Sequence, residues 1–162
     1  MNISASATDS STLVSYRENI HAETYAHFIR LFVPDGDERD RLFRAIETIP
    51  TIRDKANWCF KWFNQTAHPF AVRLIAFAIV EGIFFCSSFA AIYWFRSRGV
   101  LPGLCFSNEL IARDESMHMR FACVLYSELR SNVAEADIVG MVGEAVALEK
   151  AFFAGMRVPF AP

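Results

Sequence analysis

Glu and His three residues apart on a helix share one face and can reach a single metal ion. The chain carries that pair twice, at Glu18-Asn-Ile-His21 and at Glu115-Ser-Met-His118. The remaining histidines, His27 and His68, have no Glu at that spacing and read as surface or loop residues. A third element is Glu81, the only charge in the run Leu74 to Phe95. A four-helix bundle that holds a di-metal carboxylate site takes two lone carboxylates and two ExxH pairs, all pointing inward. Both pairs and one lone carboxylate are visible here, on separate stretches of sequence. Carboxylate oxygens with imidazole nitrogens, and no thiolate, suit iron or manganese rather than zinc. The spacing also admits a plainer reading. In it, both pairs are exposed charge pairs and Glu81 is a buried acid bonded to a neighbouring helix.

The elements that must position these groups read as helices throughout. Residues from about Ser11 to Phe32 contain no Pro or Gly, and Val33-Pro-Asp-Gly-Asp37 ends them. A short charged helix is predicted from Glu38 to Ile49, and a third from about Ile52 to Phe63 with Trp58, Phe60 and Trp62. One long apolar helix is predicted from about Pro69 to Arg98, stopped by Ser-Arg-Gly-Val-Leu-Pro-Gly103. Two more follow, over about Leu104 to Arg130 and Val133 to Gly155. No stretch alternates apolar and polar residues at strand length between turn signals. The predicted class is all-α, with long helices and short connections as in a bundle. No internal repeat, low-complexity tract or second domain is visible.

Leu74 to Phe95 is long enough to cross a bilayer. Glu81 argues against it, since a carboxylate at the centre of a membrane helix costs roughly 2.5–3.5 kcal/mol on insertion scales. No second span accompanies it, so a helix buried in a soluble helical protein is the better reading. Composition narrows the class further. The chain has 162 residues, 53% of them hydrophobic, enough for one domain with a real core. Sixteen Lys and Arg against 18 Asp and Glu leave no basic surplus for phosphates, so a nucleic-acid partner is not expected. Cys59, Cys86, Cys105 and Cys123 form no CxxC pair, which fits a reducing compartment. The small, polar N-terminal stretch has neither a basic nor an apolar targeting region, and the cytoplasm is expected.

Beyond spacing, several runs resemble one family. Val80-Glu-Gly-Ile-Phe-Phe85, Ser88-Phe-Ala-Ala-Ile92, Gly103-Leu-Cys-Phe-Ser-Asn-Glu-Leu-Ile111 and Arg113-Asp-Glu-Ser-Met-His118 resemble the small, radical-generating subunit of class I ribonucleotide reductase. Glu18-Asn-Ile-His-Ala-Glu-Thr-Tyr25 and Arg44-Ala-Ile-Glu-Thr-Ile-Pro50 add to the match. The likeness runs from about residue 15 to the end, leaving residues 1–14 as a divergent segment expected to be poorly ordered. The resemblance implies a ferritin-like di-iron carboxylate bundle, here partial. It implies that Glu18 and Glu115 bridge two irons, that His21 and His118 each bind one, and that Glu81 binds the iron farther from the radical. Tyr25 is implied as the radical tyrosine, with Phe85, Phe89 and Ile111 as its apolar pocket. On one continuous helix, Phe85 and Phe89 would sit one and two turns beyond Glu81. Ordinary core packing accounts for these three equally well. Asp114 is implied in the electron-transfer path, its alternative being a solvated acid beside Arg113.

The sequence also departs from the family. A sixth ligand, an aspartate on an earlier helix, has no counterpart before Glu18, and Asp9 is badly placed to replace it. The iron site beside Tyr25 is therefore expected to be the weaker one. The upstream tryptophan of the family and the tail that docks the large subunit have no counterparts either, as in a partial chain. The leading expectation is the small chain of a ribonucleoside-diphosphate reductase, paired with a large subunit and itself a homodimer. The alternatives are a catalytically dead fragment that pairs with intact small subunits, and another ferritin-like di-metal oxidase.

Overall fold

The computed structural model describes residues 3–130 and 132–156, with side chains from Tyr16 onward. Every regular element among the described residues is helical. The segment expected to be divergent, residues 1–14, lies largely outside this description, although the backbone from Ile3 belongs to the first helix.

The chain forms two compact units, Met1–Arg44 and Ala45–Pro162. The first holds α1 (Ile3–Phe32) and α2 (Gly36–Phe43). Pro34 closes α1, because the residue before a proline is pushed out of the helical region. Asp35 then opens α2 as its N-cap, its carboxylate accepting the Glu38 N–H at 2.8 Å. The predicted helix from Glu38 to Ile49 is in fact interrupted at Arg44, so that its second part is a separate turn of helix, α3 (Ala45–Thr48).

The second unit continues with α4 (Pro50–Phe63), α5 (Phe70–Ile83), α6 (Cys86–Ser97), α7 (Pro102–Ser127) and α8 (Glu135–Gly155). Prolines at the starts of α4 and α7 sit where a missing N–H costs nothing. Gly99, at φ +67°, turns the chain between α6 and α7 in a conformation that favours glycine. Helix α5 packs against α4, α7 and α8, and α4 packs on α8. Trp58, Ile75, Ala76, Ile79, Phe84, Met141 and Ala145 close the core between them. Trp58 meets the Phe84 ring edge-on at 5.1 Å, a favoured aromatic geometry. At Gly82 the side chain of Met119 comes so near that an added Cβ would lie 3.1 Å from its Cγ, so α5 and α7 approach closely beside Glu81.

The long apolar helix predicted from Pro69 to Arg98 is corrected by the structure. By length and composition Phe70–Ser97 could cross a membrane, yet it is two helices separated at Phe84–Phe85. No proline causes the break. Lys55 of α4 donates to the Phe84 carbonyl and Glu149 of α8 accepts the Ser87 N–H, one on each side of it.

Candidate metal centre

Helix α7 turns one face inward, formed by Cys105, Asn108, Ile111, Glu115, His118 and Ala122. Their spacing of three and four residues is that of a single helical stripe. The ExxH pair of α7 thus falls on its buried face. On α5, Glu81 is buried in the last turn of the helix. Its neighbours Leu74, Ile75 and Ile79 anchor the helix in the core, and the facing stripe of α7 receives its carboxylate.

The groups converge closely. The His118 ring Nδ1 lies 3.1 Å from a Glu115 carboxylate oxygen and 3.7 Å from one of Glu81. Ligand atoms of Glu81, Glu115 and His118 all fall within 4.8 Å of one another. All three side chains are less than a tenth exposed. Two carboxylates buried this close raise each other's energy when both are ionised, and a divalent cation offsets that repulsion. Hard oxygens with one imidazole nitrogen suit iron or manganese. The donor set therefore fits the metal expected from the sequence.

Glu18 and His21 belong to α1 in the first unit. There the His21 ring Nδ1 lies 3.5 Å from a Glu18 carboxylate oxygen, the i to i+3 contact that the spacing predicts. Tyr25 follows one turn later on α1 and is half-buried. On α7, Ile111 is 5% exposed and lies one turn before Glu115. Asp114 is half-buried on the same helix. Phe85 and Phe89 stack at 5.8 Å between ring centroids. Both line a cleft of about 450 Å³ together with Glu81, Glu115 and Met119. They do not stand on the helix of Glu81 as the continuous-helix expectation had it: Phe85 lies in the break and Phe89 on α6.

Four charged residues in this unit were not singled out by the sequence pattern. Glu149 on α8 is buried and ion-paired with Lys55 of α4 at 2.8 Å. Glu144, one turn and a half earlier, accepts the indole N–H groups of Trp58 and Trp62 at 3.0 and 3.1 Å. Lys61 also reaches Glu144, at 3.1 Å. A signal for Glu149 was present, because it continues the stripe Met141, Ala145 at four-residue spacing and so falls on the buried face.

A family model described as "Ribonucleotide reductase, small chain" matches residues 7–158. The protein belongs to the ribonucleotide reductase small-chain family. It is 54% identical over 135 residues to a ribonucleoside-diphosphate reductase small chain of Arabidopsis thaliana, a match covering 83% of this sequence and 39% of that protein. The small chain of Nicotiana tabacum is 51% identical over 135 residues, with 83% of this sequence and 41% of the relative covered. Among solved structures, a ribonucleotide reductase homodimer from Saccharomyces cerevisiae is 31% identical, with a TM-score of 0.77 over 89% of this sequence and 45% of its counterpart. The chain thus spans about two-fifths of the curated relatives it matches. The fold is all-α and of the ferritin-like kind, as this family membership and the structural neighbour require.

Proposed function

We propose that this protein serves as the radical-generating small chain of a ribonucleoside-diphosphate reductase, in which a large subunit reduces ribonucleotides to deoxyribonucleotides for DNA replication. The observation that carries the reading is the convergence of Glu81, Glu115 and His118 within 4.8 Å in the interior of a family member. A homodimer is proposed for the chain itself, in keeping with its structural neighbour. The cytoplasm is its proposed location.

Glu18, His21, Glu81, Glu115 and His118 are the residues that would hold a di-iron centre, with manganese as the alternative ion. Bound iron with O₂ supplies the oxidising power. The carboxylates bring negative charge that favours the higher oxidation state, and the burial of Glu81 and Glu115 keeps bulk water from competing for the ion. Tyr25 is assigned as the radical residue, giving up its phenolic proton and one electron. Phe85, Phe89 and Ile111 keep water and reductants from the radical, because none of their side chains offers a polar atom. Asp114, next to Glu115 on α7, is assigned to the path along which an electron leaves the large subunit.

The test is reconstitution with Fe(II) and O₂, followed by visible absorption, iron content and electron paramagnetic resonance. A tyrosyl signal that disappears in Tyr25→Phe supports the assignment. A signal that survives in Tyr25→Phe places the radical on another tyrosine. Iron retained in a variant carrying both Glu115→Ala and His118→Ala would sink the metal reading.

A further inference from the structure

The break between α5 and α6 lies three residues after Glu81 and turns Phe84 and Ser87 inward, 3% and 7% exposed, while Gly82 and Cys86 face outward. Ending one helix and starting another inside a core orphans carbonyls on one side and N–H groups on the other. Here a single ion pair serves both. The Glu149 carboxylate accepts the Ser87 N–H at 2.7 Å, and its other oxygen lies 2.8 Å from the Lys55 ammonium. The same ammonium donates to the Phe84 carbonyl. It also lies 5.2 Å from the centre of the Phe84 ring and 4.1 Å from that of Phe152.

The signs match the helix ends. A cation sits at the C-terminal carbonyl of α5 and an anion at the first N–H groups of α6, which is how each macrodipole is stabilised. The two residues are 94 positions apart and come from α4 and α8. Their side chains are only 14% and 9% exposed. A buried ion pair is a poor source of stability, because an apolar pair of the same volume often does as well or better. What it supplies here is a fixed geometry at the turn that carries Glu81.

We propose that Lys55 and Glu149 are positioning residues for the metal centre, clamping the α5–α6 break so that Glu81 faces His118 and Glu115. The inference rests on the reading of Glu81 as a metal ligand. Without the pair, the Phe84 carbonyl and the Ser87 N–H would lose these partners. The last turn of α5, which carries Glu81, would then no longer be held in place.

The experiment compares the wild-type chain with four variants: Lys55→Met/Glu149→Leu, Lys55→Arg, Glu149→Gln, and the charge swap Lys55→Glu/Glu149→Lys. Two readouts are taken, Mn(II) affinity by titration calorimetry and amide exchange over residues 81–87 without metal. The apolar double variant is expected to unfold at or above the wild-type temperature, yet to bind Mn(II) about 10-fold more weakly, as happens when a group supporting a metal ligand is lost. Exchange over residues 81–87 should rise with it. Glu149→Gln keeps an acceptor for the Ser87 N–H but loses the charge, so its affinity should fall between those of the wild type and the double variant. Lys55→Arg should bind as the wild type does, since it keeps a cation at the α5 carbonyl. The charge swap keeps mutual attraction but puts each charge at the wrong helix end, so it should not restore binding. Wild-type affinity and exchange in the double variant would overturn the proposal, as would full binding by the swap. A wild-type protein that binds no Mn(II) sinks the metal reading instead. In that case exchange still decides the clamp, which stands if residues 81–87 lose protection in the double variant and falls if they do not.

Discussion

His118 on α7 and Glu81 on α5 stand with ring nitrogen and carboxylate oxygen 3.7 Å apart, although 37 positions separate them in the chain (118 − 81). Glu115 adds a second carboxylate at 3.1 Å from the same nitrogen. Each is buried, and each comes from a helix face otherwise mostly apolar or small. Such an arrangement is costly unless something positive enters it.

The first prediction concerns that cost. Without metal, Glu81→Gln should raise the unfolding temperature, because it removes one of two facing buried carboxylates. With Mn(II) at 100 times its dissociation constant, the wild type should gain about 2.7 kcal/mol while Glu81→Gln gains far less. Thermal unfolding with and without Mn(II) checks both halves. A Glu81→Gln variant that is less stable without metal and equally responsive to it would mean that Glu81 is not a ligand.

Trp58 is the largest aromatic anchor of the core, 5% exposed, and it joins α4 to Phe84 at the helix break. Trp58→Ala should cost about 3–5 kcal/mol in urea unfolding, as large-to-small core changes do. It also removes one of the two indole donors to Glu144. A loss below about 1 kcal/mol would mean that the α4–α8 seam closes over the cavity.

Glu144 makes stability depend on pH. Partial burial raises its carboxyl, but hydrogen bonds from Lys61, Trp62 and Trp58 and the Lys61 charge outweigh that and hold it below the ordinary range. A depressed folded value means that the stabilising contribution is present above the unfolded value, near about 4.3, and is lost as pH falls through the folded one. The urea midpoint of the wild type should therefore fall more steeply between about pH 6 and about pH 3 than that of Glu144→Gln. Because the side chain is 45% exposed, the difference should be small. Parallel slopes would show that the indole and ammonium contacts do not persist in solution.

Cys86, the first residue of α6, has its thiol pushed up by burial and then by the Glu149 carboxylate, with Lys55 partly opposing. Alkylation by iodoacetamide, followed at the Cys86 peptide by mass spectrometry, should have its midpoint above the pH of an ordinary cysteine, about 8.5. Glu149→Gln removes one raising charge and should move the midpoint down. A midpoint below the ordinary value in the wild type would place the Lys55 charge nearer to the thiol than the Glu149 one.

By itself the sequence determined the all-α class, the helices around both ExxH pairs, and the candidate ligands Glu18, His21, Glu81, Glu115 and His118. These are local matters: Glu and His at i and i+3 meet on any helix, and apolar stripes at three-to-four spacing mark its buried side. A lone charge inside an apolar run is conspicuous for the same reason. Only the tertiary structure decided that Glu81 meets His118, since two helices can pack through many pairs of faces. It alone decided that the run from Phe70 to Ser97 is two helices rather than one. Nothing in Gly-Ile-Phe-Phe-Cys stops a helix by itself. At the break, Lys55 and Glu149, on helices α4 and α8, supply a donor and an acceptor to the backbone of α5 and α6. Helical periodicity reports which side of an element is buried, whereas long-range charge placement, which chooses the partners of its backbone groups, leaves no local trace.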